Sequence, residues 1–280
     1  MPKDRQVSEK SSKAGAVRVG VGGWLYPPWR GVFYPKGLKR ADELSFAASR
    51  LTAIEINATH YKLQSPASFR KWADATPPGF KFSVKGPRLV TNSKALAETG
   101  GFVQRFVASG LSALGDKLGP LLWQIPPFKR FDADDLGKFL DLLPREIDGQ
   151  VLNHVIEERH ASFATPDFVK LLRDAGVGAV FTDAETWPNI ADVTGDVVYA
   201  RLQRGDDKLE TAYAPAQLDA WAARAKTWAQ GLAPDDLSII DATPPPRSEP
   251  RDVFVYFIHE GKLRAPAAAM ALIDRLSESG

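Results

Sequence analysis

Residues 17–28 read Val17-Arg18-Val19-Gly20-Val21-Gly22-Gly23-Trp24-Leu25-Tyr26-Pro27-Pro28, a β-branched run that stops in glycines and then in aromatics and prolines. A doubly wound nucleotide-binding sheet would place its phosphate-binding fingerprint directly after this first strand, with a helix to follow. Here Gly20-Val21-Gly22-Gly23-Trp24-Leu25 lacks the third glycine and runs into Tyr26-Pro27-Pro28 rather than a helix. The open-sheet alternative therefore fails at its first unit, and the choice passes to the order of the elements that follow.

Working outward, short strand patterns alternate with helical ones. Helical spacing covers Leu38 to Arg50, and Ala53 to Asn57 alternates as a second strand. Ser65 opens a helix with Pro66 at its favoured first position. Phe80 to Lys85 is a third strand, Phe102 to Leu114 a long helix, and Leu118 to Ile125 a fourth strand stopped by Pro126-Pro127. Asp132 or Asp134 caps a helix through Leu143, Val151 to Glu157 is a fifth strand, and Thr165-Pro166 starts a helix through Ala175. Gly178 to Thr182 and Val197 to Leu202 are strands six and seven, joined by an irregular segment around Trp187-Pro188. Pro215 to Gln230 is helical, Ala233 to Arg251 with Pro244-Pro245-Pro246 is a loop insertion, and Val253 to Ile258 with a helix from Pro266 to Leu276 completes the series. Strand and helix units in this number and order predict an α/β fold of the TIM (β/α)8 barrel type, a single domain over residues 17–280.

Composition agrees with one folded domain. The 280 residues are 44% hydrophobic and 25% charged, and a chain of that length buries roughly three quarters of its unfolded surface. Cysteine is absent, which removes thiol nucleophiles, disulfide scaffolds and cysteine-bound metal. The net charge of +2 resides in the first sixteen residues, where Lys3, Arg5, Lys10 and Lys13 face Asp4 and Glu9. That stretch has no apolar core of a secretory signal and reads as a disordered leader. No apolar run approaches the ~18 residues of a membrane span, so no membrane partner is expected and the cytoplasm is the default location.

Alternate residues of a barrel strand face its interior, and barrel enzymes place their chemistry at the C-terminal strand ends. The polar residues fall on that parity. Glu55 and Asn57 alternate with Ile54 and Ile56, and Lys81, Ser83 and Lys85 with Phe80, Phe82 and Val84. Glu157 and Arg159 share a parity, as do Arg201 and Gln203, while Gln124 and Asp183 end strands four and six. Lys85, Arg88, Arg159 and Arg201 outnumber Glu55, Glu157 and Asp183, which suits an anionic ligand such as a phosphate or carboxylate. An ion-pair network that satisfies only itself is the competing explanation.

Glu55 and Glu157 are the candidates for moving protons, with a plain ion pair to Lys85 or Arg159 as the alternative. His160 is a candidate proton donor or a structural residue of the rim. Trp24, Tyr26 and Trp29 follow the first strand where they either stack on a sugar or base or form a lid packed on the barrel. The four histidines, His60, His154, His160 and His259, show no ligand spacing, so neither a metal nor another cofactor is expected. Gln124 and Arg201 stand where barrel glycosidases carry glutamates on strands four and seven, which disfavours that chemistry.

The run from Gly22 to Pro35, Gly-Gly-Trp-Leu-Tyr-Pro-Pro-Trp-Arg-Gly-Val-Phe-Tyr-Pro, resembles the opening signature of the domain-of-unknown-function 72 family, also called YecE-like. Glu55 to Tyr61, Trp72 to Phe80, Phe82 to Arg88, Gly119 to Pro127 and Glu157 to Phe163 are similar to family runs in the same order. The resemblance covers about residues 17 to 275 and implies a TIM barrel with no established activity. It departs at His60, where the family has Phe, at Glu158 in place of an aromatic, at Gln203 in place of His, and at Ile258-His259-Glu260 and Ala267-Ala268.

Two functional expectations follow. In the first, a metal-independent enzyme acts on a small phosphorylated or carboxylated substrate, with Lys85, Arg159 and Arg201 holding the anion, Asn57, Gln124 and Asp183 lining the site, and Arg201 only partly compensated by acids. In the second, a non-catalytic protein binds nucleic acid through a basic rim with Trp24, Trp29 and Arg88. The sequence alone does not decide whether the chain is an enzyme.

Overall fold

A computed structural model describes residues 14–243 and 249–278. Eight parallel strands close into a barrel in chain order: β1 (Val17–Gly22), β2 (Ala53–Ile56), β3 (Lys81–Lys85), β4 (Leu118–Gln124), β5 (His154–Glu157), β6 (Gly178–Thr182), β7 (Val197–Arg204) and β8 (Asp252–Glu260), which pairs back with β1. The outer helices are α1 (Glu43–Ala48), α2 (Pro66–Asp74), α3 (Gly100–Val107), α4 (Ala133–Asp141), α5 (Pro166–Ala175), α6 (Pro215–Ala229) and α7 (Ala265–Ser277). A helix follows every strand except β6, whose connection to β7 is irregular, as the Trp187-Pro188 segment leads one to expect. Among the described residues no helix is long and apolar enough to cross a membrane.

Local chemistry sets the helix starts. Ser65 and Thr165 each accept a hydrogen bond from the backbone N–H three residues on, ahead of Pro66 and Pro166, and Asp132, not Asp134, caps α4 by accepting from Asp134 N and Asp135 N. The strands are buried on both faces, as parallel strands covered by helices must be. Their outward residues join the helices in one large core that includes Ile54, Ile56, Phe82, Trp123, Ile156, Phe181 and Leu202. The inward residues form a second cluster, in which Ala53, Leu122, Val155, Val180, Val197 and Phe254 pack together below Tyr199 and Tyr256. Apolar side chains thus pack the barrel interior, and the inward polar residues Glu55, Gln124, Glu157 and Arg201 cluster towards the C-terminal mouth.

Three expected elements differ. The helix expected over Phe102 to Leu114 stops at Val107 and resumes as a 3-10 segment, Leu111–Lys117. Gly110 between them has φ of 115° and lies so close to α2 that a Cβ would come within 2.6 Å of Pro66, so the chain turns where only glycine fits. The fifth strand is shorter than Val151 to Glu157, because Asp148 and Gly149 both adopt positive φ and fold a small hairpin, Glu146–Ile147 with Gln150–Val151, ahead of β5. The expected leader also ends early: residues 1–13 lie outside the described residues, but Gly15 N–H donates to Ala229 O at 2.9 Å and Ala16 N–H to Asp252 Oδ1 at 2.8 Å. In the loop insertion before β8, the Pro244-Pro245-Pro246 run lies outside the described residues, and the flanking described residues form neither helix nor strand.

Candidate functional site

Register brings the inward polar residues of six strands to one level. Glu55 is paired with Ser83 in the β2–β3 ladder, Gln124 with Glu157 between β4 and β5, and Arg201 with Tyr256 between β7 and β8. Arg201, buried on the barrel axis side of β7, is bracketed by two carboxylates. Its Nε donates to Glu55 Oε2 at 3.0 Å and its Nη2 to Glu55 Oε1 at 3.0 Å, while its Nη1 donates to Glu157 Oε2. Tyr199 O–H adds a bond to Glu55 Oε2 at 2.8 Å, and Arg159 Nε one to Glu157 Oε1 at 2.9 Å. Every oxygen of both carboxylates is therefore engaged. Burial by itself would raise the Glu157 carboxyl, but Arg201, Arg159, the Gln124 amide and Lys85 outweigh it and hold it at about 2. Burial alone would likewise discharge Arg201, and the two glutamates more than offset it, so its guanidinium is held above its ordinary value.

Lys85 completes this floor and is left over. Its Nζ donates to Gln124 Oε1 at 2.9 Å, and Gln124 Nε2 in turn donates to Glu157 Oε2 at 2.8 Å. Among the described residues Lys85 makes no salt bridge within 4.0 Å, unlike Arg159 and Arg201. Only 8% of its surface is exposed. Burial and the Arg201 charge lower its amine, Glu55 and Glu157 oppose them, Arg159 adds to the lowering, and the balance lies at about 8. The strand end that carries it is fixed from below: Thr59 Oγ1 donates to Lys85 O at 2.6 Å, and His60 Nδ1 bonds Gly86 O at 2.9 Å, with the imidazole kept neutral by burial and by Lys85.

Above this floor opens a cavity of about 470 Å³ lined in part by Asn57, Tyr61, Lys85, Gln124, Arg159 and Arg201, with Trp29, His259, Glu260 and Lys262 on its rim. Gly22 makes room for it; a Cβ there would come within 3.1 Å of Ile258 and 3.2 Å of the Asn57 amide. Arg159 lies with its guanidinium 4.4 Å over the Trp187 ring, and apart from the bond through Nε it makes no hydrogen bond among the described residues. Its terminal nitrogens therefore remain available. Three cations, Lys85, Arg159 and Arg201, meet two carboxylates on the floor, and on the rim Lys262 Nζ lies 4.5 Å over the Tyr26 ring while Glu260 lies 3.9 Å from His259 Nδ1.

Of the residues singled out in the sequence, Asn57, Lys85, Gln124, Arg159 and Arg201 share this cavity wall, and Glu55 and Glu157 lie directly beneath them, tied to Arg201. The expectation that Arg201 is only partly compensated is corrected, since two carboxylates bracket it. Glu55 and Glu157 do not have the free carboxyl that a proton carrier needs, because arginine charges occupy both. His160 turns away to cap a 3-10 turn, its Nδ1 accepting from Ser162 N at 3.1 Å. Asp183 has the outward parity of β6 and holds the strand ends together, accepting from Gln203 N and from Tyr213 O–H. Arg88 is exposed outside the cavity, its guanidinium 5.6 Å over the Tyr61 ring. The aromatic loop is a packed lid. Trp29 is 1% exposed and donates through Nε1 to Lys262 O at 2.8 Å, Tyr26 packs edge-on against it, and Trp24 packs against Trp72. Sequence reasoning missed Tyr199, which its parity with Arg201 makes legible, and Lys262, which sits in a loop where no alternation reports direction. Among the described residues no group of three or more His, Cys, Asp or Glu is placed to hold a metal ion.

An eight-stranded parallel barrel with its polar cavity at the C-terminal strand ends is a TIM-barrel protein. The family model described as "Protein of unknown function DUF72" matches residues 18–280, and the chain belongs to that family. The UPF0759 protein YecE of Escherichia coli (strain K12) is 28% identical over 148 residues, 52% of this chain and 50% of that protein; the match thus spans about half the length of this curated relative. Solved DUF72 family proteins share the fold: one from Thermotoga maritima MSB8 has a TM-score of 0.69 at 22% identity, covering 95% of this chain and 100% of its own. Another, from Enterococcus faecalis V583, has a TM-score of 0.69 at 18% identity over 93% and 95% of the two chains.

Proposed function

We propose that the protein binds a small molecule bearing a phosphate or carboxylate in the cavity at the barrel mouth, and acts on it there without a metal. The observation that carries this reading is Lys85: a buried ammonium with one neutral hydrogen-bond partner, beside two carboxylates already saturated by arginines. A buried charge without a counter-ion is expensive to keep, and an oxyanion in the cavity supplies the missing partner. Arg159 supports the same reading, with terminal nitrogens facing the cavity and a planar fork suited to bidentate oxyanions. Arg201 serves as the internal strut that keeps Glu157 ionised and holds both glutamates in place, rather than as an anion ligand of its own.

The nucleic-acid reading keeps one supporting feature, the exposed Tyr61 with Arg88 over its ring, and it loses Trp29 to the interior. Thermal melts in a panel of inorganic phosphate, sugar phosphates, dicarboxylates, nucleotides and short oligonucleotides test both. Stabilisation by a small phosphate or carboxylate, abolished in Arg159→Ala and only mildly weakened by salt, is the expected result. Stabilisation by oligonucleotides alone, falling steeply with ionic strength, would favour the nucleic-acid reading. Treatment with a chelator should leave both the melt and the anion response unchanged.

A further inference from the structure

Lys85 has the surroundings of an amine that reacts rather than one that merely attracts. Its Nζ ends at the wall of the cavity, one neutral amide oxygen fixes its direction at 2.9 Å, and Arg201 and Arg159 press positive charge against it from the adjacent strands. Losing its proton relieves both the burial and that repulsion, which places the amine at about 8, where a sizeable neutral fraction exists near neutral pH. The groups facing it are Glu55, Glu157, Arg159, Arg201, His60 and Gln124. The first four are joined to one another as ion pairs, whereas Lys85 has no carboxylate partner among the described residues.

Resting on the anion-site reading above, we propose that Lys85 forms an imine with small aldehydes or ketones that also carry a phosphate or carboxylate, the anionic end being held by Arg159. The Nζ lone pair attacks the carbonyl carbon while the C=O π electrons move to oxygen, which takes one Nζ proton to give a carbinolamine. The nitrogen then forms its second bond to carbon as the hydroxyl leaves with the remaining Nζ proton, so one water is released and no oxidant or reductant is consumed. Gln124 holds the nitrogen towards the cavity during attack, and a cavity of about 470 Å³ limits the partner to a small metabolite.

The experiment is borohydride trapping. The full-length protein is incubated with glyoxylate, pyruvate, 2-oxoglutarate, dihydroxyacetone phosphate or glyceraldehyde 3-phosphate, and with acetone and propanal as uncharged controls. Sodium borohydride is added, and intact mass and tryptic peptides locate the adduct. The expected result is near-stoichiometric label at Lys85 with at least one anionic carbonyl compound, increasing from pH 7 to pH 9, at least tenfold above label at exposed Lys62 or Lys208, and above label from the uncharged controls. Lys85→Arg and Lys85→Met, checked for folding by circular dichroism, should take no label at this peptide. Absence of Lys85 label across the panel, or label no greater than at the surface lysines, overturns the imine proposal. If anions still stabilise the protein in the thermal melts, that failure leaves the binding reading standing; if they do not, both fall.

Discussion

Arg201 and Glu55 face each other across the barrel interior through two hydrogen bonds of 3.0 Å, Nε to Oε2 and Nη2 to Oε1. Removing the guanidinium leaves two buried carboxylates with no partner on that side, the costly way to break a buried pair. Arg201→Met should therefore destabilise the protein by about 3–5 kcal/mol in urea unfolding. The triple variant with Glu55→Gln and Glu157→Gln should recover most of that loss. An Arg201→Met protein as stable as wild type would mean the pair is not the strut described here.

Glu157 gives this network a pH signature. Its carboxyl lies near 2 in the folded chain against an ordinary 4.5, so the unfolded chain binds the proton first as pH falls. The stabilisation is complete above about 4.5 and is lost as pH drops towards 2, a change on the order of 3 kcal/mol. Urea midpoints measured between pH 6 and pH 3 should fall more steeply for wild type than for Glu157→Gln; parallel curves would contradict this.

Glu158 has the opposite sign. It is buried with Oε2 lacking a hydrogen-bond partner among the described residues, and burial pushes its carboxyl well above the usual range. The folded chain then holds a proton that the unfolded chain has released, so this residue costs stability increasingly as pH rises above about 4.5. Glu158→Leu should stabilise the protein at pH 7 by about 1–3 kcal/mol and by much less at pH 4. A melting temperature unchanged at both values would show that the carboxyl is accommodated in some other way.

How much of this is legible in the sequence depends on which physical signal each feature leaves. Barrel parity is written in the alternation of Glu55 with Ile54 and Ile56, and of Lys85 with Val84, because the two faces of a strand meet different surroundings. Strand order follows from the same alternation joined to the helix starts at Ser65, Asp132 and Thr165. The broken helix at Gly110 is not legible, since its cause is contact with Pro66 more than forty positions away in the chain. The Asp148-Gly149 turn is legible, as a two-residue hairpin signal lying just ahead of the run Val151 to Glu157 that reads as a single strand. Parity reports which way a side chain starts but not where it ends. Hence Arg201 reads as only partly compensated until the register shows Glu55 and Glu157 on either side of it, and Trp29 reads as either a stacking surface or part of a lid until its Nε1 is found bonded to Lys262 O. Asp183 sits on the outward parity of β6 with Ala179 and Phe181, and the alternation already points it away from the cavity.

In the proposed function, Lys85 is the uncompensated charge that draws an anion into the barrel mouth. Isothermal titration of a small phosphate monoester tests it most directly, run from pH 7 to pH 9, where the monoester keeps its own charge. As the amine at about 8 loses its proton, affinity should fall by about tenfold over that span, while Lys85→Met binds weakly and without pH dependence. Wild-type binding that is flat across the range and matched by Lys85→Met would contradict the account.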